Sequence, residues 1–170
     1  MARVWGPIAF YYGEDDKIAF MDFEYYGERP IDDQFPIQIA KDLGWKCYTS
    51  TIEYEGGNIL LDGLGSLFTT SALYKTNNDT YGLYYIDSSL TEPALKILKK
   101  KALTKTQVQD SLKHLMNLKN LVVVPALSYD GGTGHIDLYA DMWKETGFIA
   151  AKYPDTLASW DDAKQVQKKY

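Results

Sequence analysis

The chain repeats one structural plan, and this repeat constrains its fold more than any other feature. Residues 8–12 and 17–23 alternate as two strands around a polar turn. An apolar helical stripe follows between Asp33, which is predicted to cap the helix, and Gly44, which closes it. Residues 46–54 then return as a strand. Strands that alternate with helices in this order predict an α/β protein built from ββαβ modules.

A second repeat begins near residue 55. Strands at 59–61 and 66–70 flank a tight turn, and a lysine-rich insertion is predicted to form a short helix near residues 92–101. The next helix has an apolar stripe that includes Val108, and residues 121–126 form a continuous apolar strand. A strand of this composition is predicted to be covered on both faces.

A third repeat begins at Thr133, with predicted strands at 136–140 and 148–152 and a helix from Ser159. Because no closing strand follows, we expect the architecture to be incomplete. We interpret the chain as a single partial domain whose three units lie at roughly 5–54, 55–127 and 128–170.

The composition excludes several classes of protein. The chain has 170 residues, 45% of them hydrophobic, which argues against extended disorder, and no run of ~18 apolar residues could cross a membrane. Its net charge is −5 and its lysines are scattered, apart from a run at 99–101, so we expect no nucleic-acid partner. Residues 1–7 have no signal-peptide layout, and the cellular location stays open.

The strongest chemical signal is a histidine, one of two in the chain, that follows a glycine-rich turn. His135 precedes Asp137 by two residues, and on a strand these positions share one face, so imidazole and carboxylate would stand side by side. Such a pair can hold a cation and move a proton. Alternatively, His135 is only a hydrogen-bonded residue at the start of a strand.

Other candidate functional residues also lie where the units begin. Trp5 opens the first unit, Glu55, Gly57 and Asn58 open the second, and His135 opens the third. If the units are arranged about an axis, these starts converge on one site.

Three motifs together resemble the bacterial peptidylarginine deiminases and agmatine deiminases of the guanidino-group-modifying superfamily. They are Trp5-Gly6-Pro7, Glu55-Gly56-Gly57-Asn58 with Asp62-Gly63, and Thr133-Gly134-His135-Ile136-Asp137. The resemblance implies a pentein-type α/β propeller of five ββαβ units, of which this chain would hold about three. It also implies that a cysteine thiolate attacks a guanidinium carbon, ammonia leaves and water releases a ureido product, without a metal or organic cofactor.

The resemblance gives each matched residue a role. His135 would be the general acid/base, and Asp137 would bind the guanidinium nitrogens, whose planar fork of donors suits a carboxylate. Glu55 and Asn58 would make substrate or site-shaping contacts, and Gly57 would let the backbone approach the ligand closely. Trp5 belongs to the same substrate-binding set.

The sequence departs from the family pattern at two places. Val4 stands where the family has a guanidinium-binding aspartate, and truncating a buried charge pair typically costs ~2–5 kcal/mol. The family nucleophile lies near the carboxyl terminus, but no cysteine follows Asp137. The single cysteine, Cys47, lies in the wrong unit, at the start of a strand after a helix, where we interpret it as a structural thiol.

Three interpretations stay open at this point. The chain is a deiminase-family protein whose nucleophile comes from outside it, or a non-catalytic binding or regulatory module on the same scaffold, or an unrelated α/β protein. Under the first two we expect a guanidinium small molecule such as agmatine or arginine, or an arginyl peptide, as ligand. An open arc of units would leave strand edges exposed, so we also expect self-association or the missing part of a larger chain as a partner.

Overall fold

The structure is a computed structural model and describes residues 6–27, 29–78, 83–87, 94–98, 102–127 and 133–152. The sequence predictions for Val4, Trp5, the lysine run at 99–101 and the helix from Ser159 lie outside these residues. The chain divides into two compact units, the first made of Met1–Gly56 and Thr76–Lys105 and the second of Gly57–Lys75 and Thr106–Tyr170.

The described elements follow in chain order. They are β1 (Ile8–Tyr12), β2 (Lys17–Glu24), α1 (Pro30–Asp33), α2 (Phe35–Leu43), β3 (Lys46–Glu53), a 3-10 turn (Gly56–Asn58), β4 (Leu60–Leu61), β5 (Ser66–Thr70), α3 (Ala72–Asn78), β6 (Leu83–Asp87), β7 (Ala94–Leu98), α4 (Lys105–Leu115), β8 (Asn120–Val124), a second 3-10 turn (Ile136–Leu138), β9 (Ala140–Lys144) and β10 (Gly147–Ala150). No helix in these described ranges is long and apolar enough to span a membrane.

The first unit contains a sheet of order β1-β2-β3. β1 pairs with β2 in antiparallel fashion, as a short connection allows, and β2 pairs with β3 in parallel, which requires the crossover that α1 and α2 provide. The central strand β2 is the most buried, with Ala19, Phe20, Met21, Asp22 and Phe23 all buried. This is the ββαβ module that the sequence predicts.

Local chemistry sets the bounds of α2. The helix ends at Gly44, whose φ of +67° places it in the left-handed region that glycine adopts at low cost, and its N–H donates to the carbonyls of Ala40 and Lys41. The prediction that Asp33 caps this helix is wrong. Asp33 ends α1, and its Oδ1 instead accepts a hydrogen bond of 2.7 Å from the backbone N–H of Tyr25.

The first unit also contains the antiparallel pair β6 and β7. The predicted lysine-rich helix at 92–101 is therefore wrong over the residues of β7. This segment is too short to be a stable helix without tertiary support, and pairing with β6 satisfies its backbone groups instead.

The second unit repeats the ββαβ plan in a sheet of order β4-β5-β8. β4 is antiparallel to β5, β5 is parallel to β8, and α4 lies between them in sequence, with Val108 and Leu112 fully buried as predicted. The prediction that β8 is covered on both faces is wrong. In the described part of the chain β8 pairs only with β5, and Val122 is 39% exposed.

The strand predicted at 136–140 is mostly a 3-10 turn. Ile136 and Tyr139 are both buried, and the N–H of Tyr139 donates to the carbonyl of Ile136. Side chains three residues apart share a face in a 3-10 turn, so this spacing buries both of them, and the strand β9 begins only at Ala140. β9 pairs with β10 in an antiparallel hairpin. The core beside it includes Leu60, Val124, Leu127, Ile136, Tyr139 and Ala140.

Candidate functional site

His135 and Asp137 meet over the backbone of Gly57, in the second unit. A Cβ atom placed on Gly57 would lie 2.5 Å from His135 Nδ1 and 3.0 Å from Asp137 Oδ2. The imidazole nitrogen and the carboxylate oxygen therefore lie within 3.0 Å of the same point. His135 is 7% exposed whereas Asp137 is exposed, so a ligand can reach the carboxylate directly and the imidazole lies largely buried beside it.

The two side chains come together by a route that differs from the predicted one. His135 has extended backbone angles (φ −75°, ψ 147°) and immediately precedes the 3-10 turn that contains Asp137. The expectation that both residues point to one face of a strand is therefore wrong. The turn replaces the strand because Gly134, with a φ of +69°, redirects the chain just before His135, and Ile136 is then fully buried.

Gly57 makes the site possible because it has no side chain. At 2.5 Å from an added Cβ, the imidazole of His135 would have to move, and that imidazole is buried among packed neighbours. The sequence interpretation gave Gly57 the role of admitting a ligand to the backbone, and that role stays a prediction. In the structure, the side chains of His135 and Asp137 lie close to the position that a Cβ on Gly57 would take.

Asn58 is buried next to Gly57 and hydrogen-bonds to the end of β5. The residue is 3% exposed, and its Oδ1 accepts a hydrogen bond of 2.9 Å from the backbone N–H of Thr70. Thr70 lies at the end of β5, is fully buried, and donates its hydroxyl proton to the carbonyl of Gly134 at 2.5 Å. These contacts connect the turn that carries Gly57 to the turn that carries His135.

Glu55 lies in the first unit. It is half-buried and hydrogen-bonded to the side chain of Tyr26, and burial together with this contact raises the pKa of Tyr26. Trp5 lies outside the described residues. The candidates that the structure brings together in one unit are therefore Gly57, Asn58, His135 and Asp137.

The Asp62-Gly63 part of the second motif forms a turn. Asp62 Oδ1 accepts hydrogen bonds of 2.8 Å from the backbone N–H groups of Leu64 and Ser66, and contacts with Ser66 lower the pKa of Asp62. Gly63 has a φ of +74°, which suits glycine in a tight turn. This half of the motif therefore shapes the hairpin of β4 and β5.

Cys47 has the environment of a structural thiol. It is half-buried on β3 in the first unit, and burial, followed by the nearby carboxylate of Asp22, raises the pKa of the thiol. A reactive cysteine needs the opposite, a lowered pKa that populates the thiolate near neutral pH. Cys47 is thus poorly suited to attack a guanidinium carbon.

Two residues with unusual environments did not emerge from the sequence interpretation. Asp22 is 7% exposed, its Oδ1 has no hydrogen-bond partner within the described ranges of the chain, and burial, with Asp33 and Glu24 adding, raises its pKa to about 7. A charged residue inside the apolar run of β2 was a visible signal. Thr70 gave no comparable signal, because its partners are distant in sequence. Among the described residues, no three His, Cys, Asp or Glu side chains are grouped closely enough to hold a metal ion.

Comparisons with known proteins agree with the motifs. The agmatine deiminase of C. jejuni is similar to this chain with a TM-score of 0.68 and 19% identity, over 98% of this chain and 44% of that chain. The agmatine deiminase of Enterococcus faecalis gives a TM-score of 0.70 and 16% identity, with the same coverage of 98% and 44%. The chain thus spans less than half the length of these neighbours and shares the pentein-type α/β fold with them.

The sequence itself gives the more specific assignment. It matches the sequence model of the Porphyromonas-type peptidyl-arginine deiminases over residues 2–169, almost the whole chain. The three motifs indicated the same group of proteins. This chain therefore belongs to the Porphyromonas-type peptidyl-arginine deiminase family.

Proposed function

We propose that the chain binds a guanidinium group between His135 and Asp137 and carries the acid–base half of a deiminase site. The observation that supports this proposal is that the side chains of His135 and Asp137 are neighbours beside Gly57, since His135 Nδ1 and Asp137 Oδ2 both lie within 3.0 Å of the position that a Cβ on Gly57 would take. An exposed carboxylate can accept two hydrogen bonds from the planar guanidinium donors, and the charge on both partners strengthens them.

Deimination needs an acid–base group, which we assign to His135, and a thiolate nucleophile, for which this chain offers no suitable residue. Hydrolysis of a guanidinium group to a ureido group releases ammonia, so an acid must protonate the leaving nitrogen and a base must then activate water. His135 is the group placed to do both. The attack on the carbon requires a thiolate, and the only cysteine, Cys47, has a raised pKa. We therefore propose that the chain alone binds the ligand without turning it over.

A non-catalytic binding or regulatory module is the second candidate function. Val4 in place of the family aspartate and the protonated state of Cys47 both favour it. The two candidates share the ligand and differ in whether a thiolate supplied from outside this sequence completes the reaction. Agmatine is the first probe, since the structural neighbours act on it by name, and an arginyl peptide is the second.

Binding is tested by titrating agmatine into the protein and following heat or NMR shifts. His135→Ala and Asp137→Asn should each weaken binding by about tenfold or more, because each removes one of the two groups that contact the ligand. The matched controls are His114→Ala and Asp110→Asn, which make the same changes at exposed positions on α4 and should leave binding unchanged. Equal affinity in the site variants and their controls would reject the proposed site.

Turnover is tested by assaying ureido product from agmatine with the wild-type protein and with Cys47→Ser. We expect no product from either protein. Product that forms with the wild type and disappears with Cys47→Ser would show that Cys47 is the nucleophile and would overturn the proposal of binding without turnover.

A further inference from the structure

One residue joins the two turns that form the candidate site. Thr70 donates its backbone N–H to Asn58 Oδ1 at 2.9 Å and its hydroxyl to the carbonyl of Gly134 at 2.5 Å. Asn58 directly follows Gly57, and Gly134 directly precedes His135. Thr70 therefore hydrogen-bonds to the residue that follows Gly57 and to the residue that precedes His135.

We propose that Thr70 is a positioning residue, whose hydroxyl fixes the Gly134 carbonyl and thereby aims the imidazole of His135 at Gly57. The carbonyl of Gly134 and the N–H of His135 belong to one planar peptide group. Fixing the direction of that carbonyl therefore fixes the backbone angles on both sides of it, including the one from which the imidazole projects.

The packing around Gly134 explains why such control is needed. Its φ of +69° is a conformation that glycine adopts freely, and freedom of that kind leaves the direction of the following peptide open. A Cβ at Gly134 would lie only 3.0 Å from the Cβ atoms of Ala72 and Ala126, so this position excludes any side chain that could restrict it. The hydrogen bond from Thr70 supplies the restriction instead.

The alternative is that Thr70 only stabilises the end of β5. Thr69 allows the two roles to be separated, because it is the adjacent residue on the same strand and is also fully buried. Its hydroxyl has no hydrogen-bond partner in the part of the chain that the structure describes. Replacing either threonine with valine removes a buried hydroxyl at nearly constant volume. Only the replacement of Thr70 removes hydrogen bonds, namely the one donated to Gly134 and a longer one of 3.3 Å accepted from the backbone N–H of Ala72.

The test uses the imidazole of His135 as its own reporter. The chain has two histidines, so an NMR spectrum of imidazole Cε1–Hε1 groups shows two signals, and exposed His114 serves as the internal reference. Thr70→Val should shift the His135 signal and weaken agmatine binding by about tenfold, because it removes the short buried hydrogen bond to the Gly134 carbonyl. Thr70→Ser keeps the donor and should restore both properties, and Thr69→Val should leave both unchanged.

The outcomes separate this inference from the proposed function on which its binding readout rests. If the wild-type protein does not bind agmatine, the proposed function fails, while the His135 signal still decides the role of Thr70. An unshifted signal in Thr70→Val, or the same shift in Thr69→Val, would overturn the positioning role even if agmatine binds. Should Thr70→Val not fold, Thr70→Ala replaces it, since alanine places no methyl group against the Gly134 carbonyl, and the same two outcomes decide.

Discussion

The two units of the chain use the same ββαβ plan but differ in how one buried polar side chain is accommodated. In the second unit the N–H and hydroxyl of Thr70 are both hydrogen-bonded, to Asn58 and Gly134. In the first unit Asp22 is 7% exposed, its Oδ1 has no hydrogen-bond partner among the residues that the structure describes, and burial, with Asp33 and Glu24 adding, raises its pKa to about 7. A buried hydroxyl is thus paired in one unit, whereas a buried carboxyl oxygen is left unpaired in the other.

The difference bears on the two sets of residues in different ways. Hydrogen bonds between buried groups favour one arrangement of side chains, and in the second unit such bonds join Asn58, Thr70 and Gly134, next to Gly57 and His135 in sequence. A buried carboxyl group with an unpaired oxygen costs stability when it is charged. The first unit carries that cost at Asp22, and Cys47 in the same unit has a raised pKa. The site that we propose, at His135 and Asp137, therefore lies in the unit that has the hydrogen bonds of Thr70.

The largest effect is expected from a substitution in the second unit, at Gly57. Gly57→Ala would bring a methyl group to 2.5 Å from His135 Nδ1 and 3.0 Å from Asp137 Oδ2. Because both side chains must then move, we expect agmatine binding to be lost, and overpacking of this kind should lower the free energy of unfolding by about 1–3 kcal/mol. Calorimetric titration and urea denaturation measure the two effects.

Gly147→Ala is the matched control for this substitution. Its added methyl group would meet Lys144 Cγ at 2.8 Å, but that side chain is exposed and flexible and can move aside. We expect little change in binding or stability. Agmatine affinity that is equal in the two alanine variants would show that the close approach at Gly57 does not matter for the site.

In the first unit, we expect the largest effect on stability from removing the buried, titratable carboxyl group of Asp22. Its pKa is raised from 3.8 to about 7 by burial, Asp33 and Glu24, so the folded state binds the proton more tightly than the unfolded state. The resulting stabilisation is fully present below about pH 4 and is lost as the pH rises through about 7. At about 1.4 kcal/mol per pKa unit, the loss is roughly 2–4 kcal/mol.

Asp22→Asn keeps the shape of the side chain and cannot titrate. Relative to the wild type, its free energy of unfolding should increase between pH 4 and pH 8, as measured by urea denaturation at each pH. Glu14→Gln removes the same charge from an exposed turn and should show no comparable trend. A wild-type minus Asp22→Asn difference that stays constant with pH would mean that Asp22 titrates normally in the folded protein.

The sequence allowed much of the first unit to be predicted because its signals are local. Strand alternation gave β1 with its observed bounds, and Gly44 marks the end of α2 both in the sequence and in the structure. The prediction from local sequence was wrong where the same pattern of apolar residues fits either a strand or a turn. The apolar spacing of Ile136 and Tyr139 suits either the end of a strand or a 3-10 turn, and burial of both side chains decided for the turn.

The candidate site was predictable only in part, for a related reason. His135 and Asp137 stand close in sequence and belong to a recognisable motif, so the pair could be named without the structure. Thr70 donates a hydrogen bond to the carbonyl of Gly134, 64 residues away, and the local sequence around either residue does not predict that contact. Asp22 was visible as an acidic residue in an apolar strand, but its pKa is raised first by burial and then by Asp33, and both depend on the tertiary structure.

The smallest effect is expected at Cys47, in the first unit. Burial raises the pKa of its thiol most, and the Asp22 carboxylate adds to the shift, so removing that charge should increase the thiolate fraction. Asp22→Asn should therefore react with iodoacetamide at pH 8 about threefold faster than the wild type, whereas Glu14→Gln should react at the wild-type rate. An unchanged rate in Asp22→Asn would assign the shift to burial alone. A rate above that of a free thiol in the wild type would contradict the structural role given to Cys47, and the first unit would then carry chemistry of its own.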